Sequence, residues 1–151
     1  MREHQVIVSC LGQRSRSDAH LLERAAAAAL AAMSASGATR YISVSQGLHF
    51  PSKNPLLHLL RVMLASHVAD SAAMEQLVRR SCVEWTIVRP PRLLDGGRRR
   101  GYEIAVGVRP RGGASMQRAD LAAFLVDEVE QAAHTGQIVG LTRGGVRHGM
   151  T

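Results

Sequence analysis

The chain of 151 residues is poor in aromatic residues, in lysine and in cysteine. Aromatic side chains make up only 3% of the sequence, so a buried core must consist mainly of aliphatic residues and methionine. The two cysteines, Cys10 and Cys82, lack metal-ligand spacing and are too few for a disulfide framework. We therefore expect two buried thiols in a reducing, cytoplasmic compartment. The apolar run at residues 25–32 is too short to cross a bilayer, and we expect no membrane association.

Several catalytic motifs are also absent from the sequence. It has no P-loop, no G-x-S-x-G elbow and no H-E-x-x-H pair, so kinase and hydrolase functions have no support. No G-x-G-x-x-G or G-x-x-G-x-x-G turn follows a predicted strand, so no preformed cradle for a dinucleotide pyrophosphate is predicted. His49 and His58 have no Cys, Asp or Glu beside them at metal-ligand spacing, and we predict no metal site.

The charge is strongly basic. The formal net charge is +7, from 19 basic and 12 acidic residues, and every basic residue except Lys53 is an arginine. A basic surface favours anionic ligands. Nucleic-acid binding is disfavoured, because the arginines cluster only at residues 98–100 and no stacking aromatic residue lies beside them. Recognition of a phosphate or carboxylate by one or two arginines is favoured instead.

Strand and helix patterns alternate along the chain. This alternation predicts one α/β domain over residues 1–142, with a mainly parallel sheet of about four to five strands flanked by helices. We expect residues 143–151 to form a flexible tail. The predicted strands cover residues 5–11, 40–46, 84–89, 102–108 and 138–141, and residues 90–101 are predicted to be irregular. The predicted helices run from residue 17 to a cap at Gly37, over residues 56–80 with a break near 65–68, and over residues 117–133.

Two segments resemble a known group of proteins. One is Met74-Glu-Gln-Leu-Val-Arg-Arg followed by Trp85-Thr-Ile-Val-Arg-Pro-Pro-Arg-Leu, and the other is Gln117-Arg-Ala-Asp-Leu-Ala-Ala-Phe-Leu-Val126. Both are similar to the atypical short-chain dehydrogenases, the NAD(P)H-binding, NmrA-like and flavin/biliverdin reductase-like group. The resemblance covers residues 6–141 and implies a truncated Rossmann-like fold that starts at the family's fourth strand, without the nucleotide-binding half. The first strand would then be an apolar sheet edge, and we expect a homodimer to cover it.

The candidate site follows from the predicted sheet. Ser45 ends the second strand, and Arg92 and Asp95 follow the Pro-Pro turn at the carboxyl end of the third, where open α/β sheets bind ligands. The resemblance places the family's Tyr-x-x-x-Lys pair on His67 and Ser71. We predict one cleft in which His67, Ser45, Arg92 and Asp95 are catalytic: His67 moves a proton, and Arg92 orients an anionic or enolic oxygen.

Other residues are expected to complete this cleft. The predicted substrate contacts are Gln46, Pro91, Tyr102 and Arg118. If NAD(P) binding is retained, the resemblance assigns the nicotinamide end of the cofactor to Cys10, Gly12 and Ser43.

Three functions remain open on the sequence. The first is a cofactor-independent small-molecule enzyme of the cyclase, isomerase or dehydratase type, or a ligand-binding protein, in bacterial secondary metabolism; NADH and NADPH would then bind weakly or not at all. The alternative is an NAD(P)H-dependent reductase, with NADP as its cofactor, whose nucleotide-binding half is missing or supplied by another chain. A non-catalytic regulatory subunit, as in the NmrA-like branch, is the third.

Overall fold

The computed structural model describes residues 6–13, 15, 18–97 and 101–144, which form alternating strands and helices. The strands are β1 (Val6–Ser9), β2 (Arg40–Val44), β3 (Glu84–Arg89), β4 (Arg92–Leu94), β5 (Tyr102–Val106), β6 (Ser115–Gln117) and β7 (Gln137–Arg143). The helices are α1 (Leu21–Ser36), α2 (Pro55–Met63), α3 (Ala65–Arg80) and α4 (Arg118–Gln131), with a 3₁₀ turn at Gly47–His49.

The main sheet has five strands in the order β1-β2-β3-β7-β5. Strands β1, β2, β3 and β7 are parallel, whereas β5 runs antiparallel to β7 at one edge. Parallel neighbours require crossover connections, and helices supply them here. Strands β4 and β6 form a separate parallel pair. The prediction of an α/β, Rossmann-like fold with a short, mainly parallel sheet flanked by helices is confirmed.

Each face of the main sheet packs against helices, because successive strand residues point to opposite sides. The core under α1 and α3 contains Ala26, Met33, Ala38, Tyr41, Met74, Val78 and Ile87. The core under α4 contains Ile42, Val88, Met116, Leu121, Phe124, Leu125, Val139 and Leu141. Burying one large apolar side chain contributes about 1.5–3 kcal/mol, so these cores fix the positions of the strand ends.

Both ends of α1 are stabilised by specific contacts. The chain leaves α1 at Gly37, whose φ of 77° is the left-handed conformation that glycine adopts at low cost, and its N–H bonds Met33 O. At the other end, the N–H groups of Leu22 and Glu23 donate to the Asp70 carboxylate of α3 at 3.0 and 3.1 Å. Ligand-type atoms of Asp70, Glu23 and His20 lie close together. Asp70 is already engaged in capping α1, so this cluster carries no metal assignment.

A buried polar network lies at the amino-terminal end of β2. One guanidinium nitrogen of Arg40 lies 2.5 Å from Glu128 Oε1, and the two side chains are only 5% and 1% exposed. The Thr86 hydroxyl and the His134 backbone N–H donate to the same Glu128 oxygen at 3.1 and 3.0 Å. This network ties the end of α4 to the sheet, at the edge opposite the carboxyl ends of the parallel strands.

The structure corrects several local predictions. Residues 90–101 are not all irregular, because Arg92–Leu94 pairs with Ser115–Gln117, a partner too distant in sequence for local patterns to reveal. The helix break predicted near residues 65–68 is present, one residue earlier, at Leu64. Strand β7 is longer than predicted and extends to Arg143, so the tail expected from residue 143 falls mainly on residues 145–151, outside the described residues. The basic run at residues 98–100 also lies outside them.

The cysteine prediction is wrong, since both thiols belong to exposed residues. Cys10 directly follows β1, and partial burial still raises the pKa of its thiol, which is therefore protonated at neutral pH.

Strand β1 forms one edge of the sheet, and no strand in the described part of the chain pairs with its outer side. Val8 and Leu11 are 37% and 49% exposed along this edge. None of the described helices has the length and apolar character needed to span a bilayer.

Candidate functional site

A cavity of about 660 Å³ opens at the carboxyl ends of β2 and β3. Its walls come from the loop after β2, from α2, from the Pro-Pro turn after β3, and from the Gly-rich loop before β6. It is lined by Gln46, Gly47, Leu48, Phe50, Leu56, Leu57, Leu60, Leu64, Arg89, Pro90, Pro91, Arg92, Arg109, Pro110, Gly113, Ala114, Leu141 and Thr142. This is the edge at which open α/β sheets bind ligands.

Backbone hydrogen bonds hold the two central loops side by side. Ser45 N–H donates to Val88 O at 2.7 Å, and Gly47 N–H donates to Pro90 O at 2.9 Å. A Cβ atom at position 47 would lie 3.0 Å from that Pro90 oxygen, so the close approach favours glycine. These backbone contacts therefore fix the positions of Gly47 and Pro90 in the cavity lining.

A buried ion pair lies beneath the cavity. Arg89 Nε lies 3.0 Å from Glu75 Oε1, and a terminal nitrogen of Arg89 lies 2.6 Å from Glu75 Oε2. The side chains are 13% and 6% exposed. The Ser45 hydroxyl donates to Glu75 Oε1 at 2.5 Å, and the Arg89 guanidinium lies 4.8 Å from the centroid of the Phe50 ring. The bidentate pair thereby joins α3, the end of β3 and both loops.

A second cluster joins the cavity wall to a histidine. Gln46 Nε2 donates to Ser71 Oγ at 2.5 Å, and His49 Nε2 lies 2.7 Å from the same oxygen. Burial lowers the pKa of His49; Glu75 opposes this shift, whereas Arg89 and Arg61 add to it. His49 is therefore a neutral imidazole at neutral pH. The Ser71 hydroxyl links it to Gln46, which lines the cavity.

Some predicted site residues meet at this cavity. Gln46, Pro91 and Arg92 line it. Ser45 lies directly behind the wall, where its hydroxyl bonds Glu75 rather than facing the cavity. His67 contributes its backbone oxygen, which accepts from Gln46 Nε2 at 3.1 Å, but its ring is not part of the lining.

Other predicted residues lie elsewhere. Asp95 forms an ion pair with Arg118 on the surface, and these side chains are 93% and 56% exposed. The Tyr102 hydroxyl donates to Asp127, and its ring packs edge-on against Phe124 at 5.3 Å. None of these three predicted residues lines the cavity. Strand β4 accounts for part of the difference, because its pairing carries residue 95 away from the turn.

The three residues assigned to a cofactor lie at the ends of β1 and β2. Cys10 and Gly12 follow β1 and are exposed, and open space surrounds the position where a Gly12 side chain would begin. Ser43 is buried within β2, and its hydroxyl has no hydrogen-bond partner among the described residues. The end of β1 is open to solvent, whereas Ser43 does not reach the surface.

Sequence reasoning did not predict Glu75, Arg89 or His49 as site residues. A signal was present for the pair, because Arg89 ends an apolar strand and Glu75 lies among apolar residues of a helix; buried charges require partners. His49 had no such signal. Its contact with Ser71 depends on the fold of the loop after β2.

A sequence profile of a family described as NAD(P)H-binding matches residues 1–132. The chain belongs to this NAD(P)H-binding family. No curated protein is a significant match. The parallel sheet and the cavity at its carboxyl edge agree with dinucleotide-binding folds in general.

Solved structures of similar fold come from several bacteria. An oxidoreductase from Lactococcus lactis superposes with a TM-score of 0.76 at 16% identity, over 92% of this chain and 62% of that one. A short-chain dehydrogenase/reductase from Veillonella parvula, solved in complex with NADP, gives 0.69 at 20% identity, over 94% and 63%. A Rossmann-fold NAD(P)-binding family protein from Shigella flexneri gives 0.64 at 22% identity, over 97% and 64%. The chain thus spans less than two thirds of each of these structures, and the likeness concerns the fold.

Proposed function

We propose that this chain is the substrate-binding part of an NADP-dependent reductase. The observation that carries the proposal is the cavity at the carboxyl ends of β2 and β3 in a chain of the NAD(P)H-binding family. The cofactor-independent enzyme that the sequence favoured has no support from the comparisons. We therefore adopt the alternative, a reductase.

The residues present fit one end of the dinucleotide. The exposed segment after β1, with open space at Gly12, offers room for a nicotinamide ring beside the strand ends. No G-x-G-x-x-G or G-x-x-G-x-x-G pattern occurs in the sequence, so we expect it to hold no cradle for the pyrophosphate. The proposal therefore requires that polypeptide outside this segment contacts the pyrophosphate and the adenosine.

The chain's own residues have three tasks in such a reduction. A bound dihydronicotinamide supplies a hydride, and the substrate then needs a proton for balance. The cavity holds the substrate against leucines, prolines and Phe50. Gln46, which Ser71 Oγ and the His67 backbone oxygen hold in place, fixes the cavity wall beside the substrate, and the proton that balances the hydride comes from solvent at the open mouth. Glu75 and Arg89 keep the floor of the cavity rigid.

Turnover in a blocked cavity tests the proposal. With millimolar NADPH and naphthoquinone as an apolar acceptor, we expect the protein to accelerate oxidation of NADPH, with reduction of one quinone to hydroquinone per hydride transferred. Ala114→Trp places a large ring in the cavity wall and should lower kcat/KM by about tenfold or more, equivalent to about 1.4 kcal/mol.

The matched control is Ala122→Trp, on an exposed position of α4 that does not line the cavity. It should leave kcat/KM unchanged. Equal rates for the two tryptophan variants, or no rate above that of the uncatalysed mixture, would contradict the proposal.

A further inference from the structure

We propose that the cavity binds a ligand with an apolar body and one anionic group, and that Arg92 and Arg109 hold the anionic group at the mouth. This inference names the substrate class of the proposed reductase. Only the identification of the ligand as the substrate rests on the proposed function.

The interior of the cavity selects an apolar body. Four leucines of the α2 region line it together with Leu48, Phe50, Leu141 and three prolines; the four are Leu56, Leu57, Leu60 and Leu64. Its uncharged polar side chains are Gln46 and Thr142, and the Thr142 hydroxyl already donates to Gly113 O at 3.1 Å. A sugar or nucleotide would leave several hydroxyl groups unpaired in such a site, which costs free energy for each group.

The charges on the cavity are all positive. Arg89, Arg92 and Arg109 line it, and no acidic side chain in the described part of the chain does so. Arg89 is neutralised by its bidentate contact with Glu75. Arg92 and Arg109 are exposed, and neither has an acidic partner within 4 Å among the described residues. Two guanidinium groups are therefore available to an anion at the opening.

Backbone pairing brings the two arginines to the same opening. Arg92 N–H donates to Ala114 O at 3.2 Å, which joins β4 to the loop that carries Arg109. Pro110, Gly113 and Ala114 of that loop also line the cavity. An anionic group at the mouth can then contact both guanidinium groups while the apolar body fills the space against α2. A guanidinium fork binds the two oxygens of a carboxylate or the oxygens of a sulfonate in the same way.

A pair of fluorescent ligands tests this inference without a cofactor. Anilinonaphthalene sulfonate and phenylnaphthylamine share the same fused rings and amine, but only the first carries an anionic group. We expect the sulfonate to bind about tenfold more tightly than the neutral compound in fluorescence titrations, a difference of about 1.4 kcal/mol. The double variant Arg92→Gln/Arg109→Gln should remove this preference and leave the affinity of the neutral compound unchanged.

Two controls separate the cavity from the general surface. The double variant Arg79→Gln/Arg80→Gln removes the same charge from the exposed last turn of α3 and should keep the preference. Ala114→Trp should weaken both ligands, whereas Leu59→Gln, which changes an exposed leucine outside the lining, should weaken neither. If Arg92→Gln/Arg109→Gln also loses the neutral compound, Arg92→Lys/Arg109→Lys keeps the charge and should restore the preference for the sulfonate.

Equal affinity for the two compounds would overturn the inference, as would an equal loss of preference in the two arginine variants. Either result leaves the proposed reductase standing if NADPH oxidation still depends on Ala114. Conversely, an anion preference without NADPH oxidation would support the binding site and count against the reductase.

Discussion

Replacing Glu75 with alanine is expected to destabilise the protein by about 3–5 kcal/mol, because it leaves the Arg89 guanidinium buried without a counter-charge. The two side chains are 6% and 13% exposed, and their contact is bidentate. The same change frees the Ser45 hydroxyl, so the two central loops should lose part of their alignment and the cavity should bind the anilinonaphthalene ligands more weakly. Urea unfolding gives the free energy, and fluorescence titration gives the affinity.

Matched variants show whether the ion pair is responsible. Glu84→Ala removes an exposed carboxylate at the start of β3 and should change the free energy of unfolding by no more than about 0.5 kcal/mol. Glu75→Met/Arg89→Met removes both charges and should recover most of the lost stability, since apolar replacements of a buried pair are often neutral. A cost below about 1 kcal/mol for Glu75→Ala would show that water or another group compensates Arg89, contrary to the structure.

Glu128→Ala is expected to have a stability effect of the same size, about 3–5 kcal/mol, without an effect on the cavity. Its carboxylate accepts from Arg40, Thr86 and His134, and only 1% of the side chain is exposed. Arg40 begins β2, whereas the cavity lies where that strand ends. Ligand affinity, measured at a temperature where the variant is still folded, should equal that of the unchanged protein.

The two variants therefore form a comparison. Both remove a buried carboxylate, but only Glu75→Ala should alter ligand binding. If Glu128→Ala weakened the ligands as much as Glu75→Ala did, the cavity would depend on general stability rather than on the pair beneath it.

Much of the fold could be predicted because its elements carry local signals. Strands β1, β2 and β3 are apolar runs, α1 ends at Gly37 as the sequence indicates, and the Pro-Pro turn marks the end of β3. Strand β4 could not be predicted, because Arg92–Leu94 forms a strand only by pairing with Ser115–Gln117, which is distant in sequence. The position of β7 between β3 and β5 likewise depends on tertiary packing, which local sequence patterns do not reveal.

The candidate site could be predicted only in part for the same reason. Strand-end reasoning located Gln46, Pro91 and Arg92 at one opening, because parallel strands end at the same edge of a sheet. It did not show that Asp95 pairs with Arg118 or that Ser45 faces Glu75, since side-chain partners depend on packing. The homodimer expected across β1 stays a prediction, and light scattering of the purified protein would decide it.

Saturation-transfer NMR with NADPH tests the central claim most directly. If this chain holds the nicotinamide end of the cofactor beside the substrate cavity, irradiation of the protein should transfer most saturation to the nicotinamide protons and little to the adenine protons. Saturation concentrated on the adenine protons, or none on the cofactor at millimolar concentration, would contradict the account.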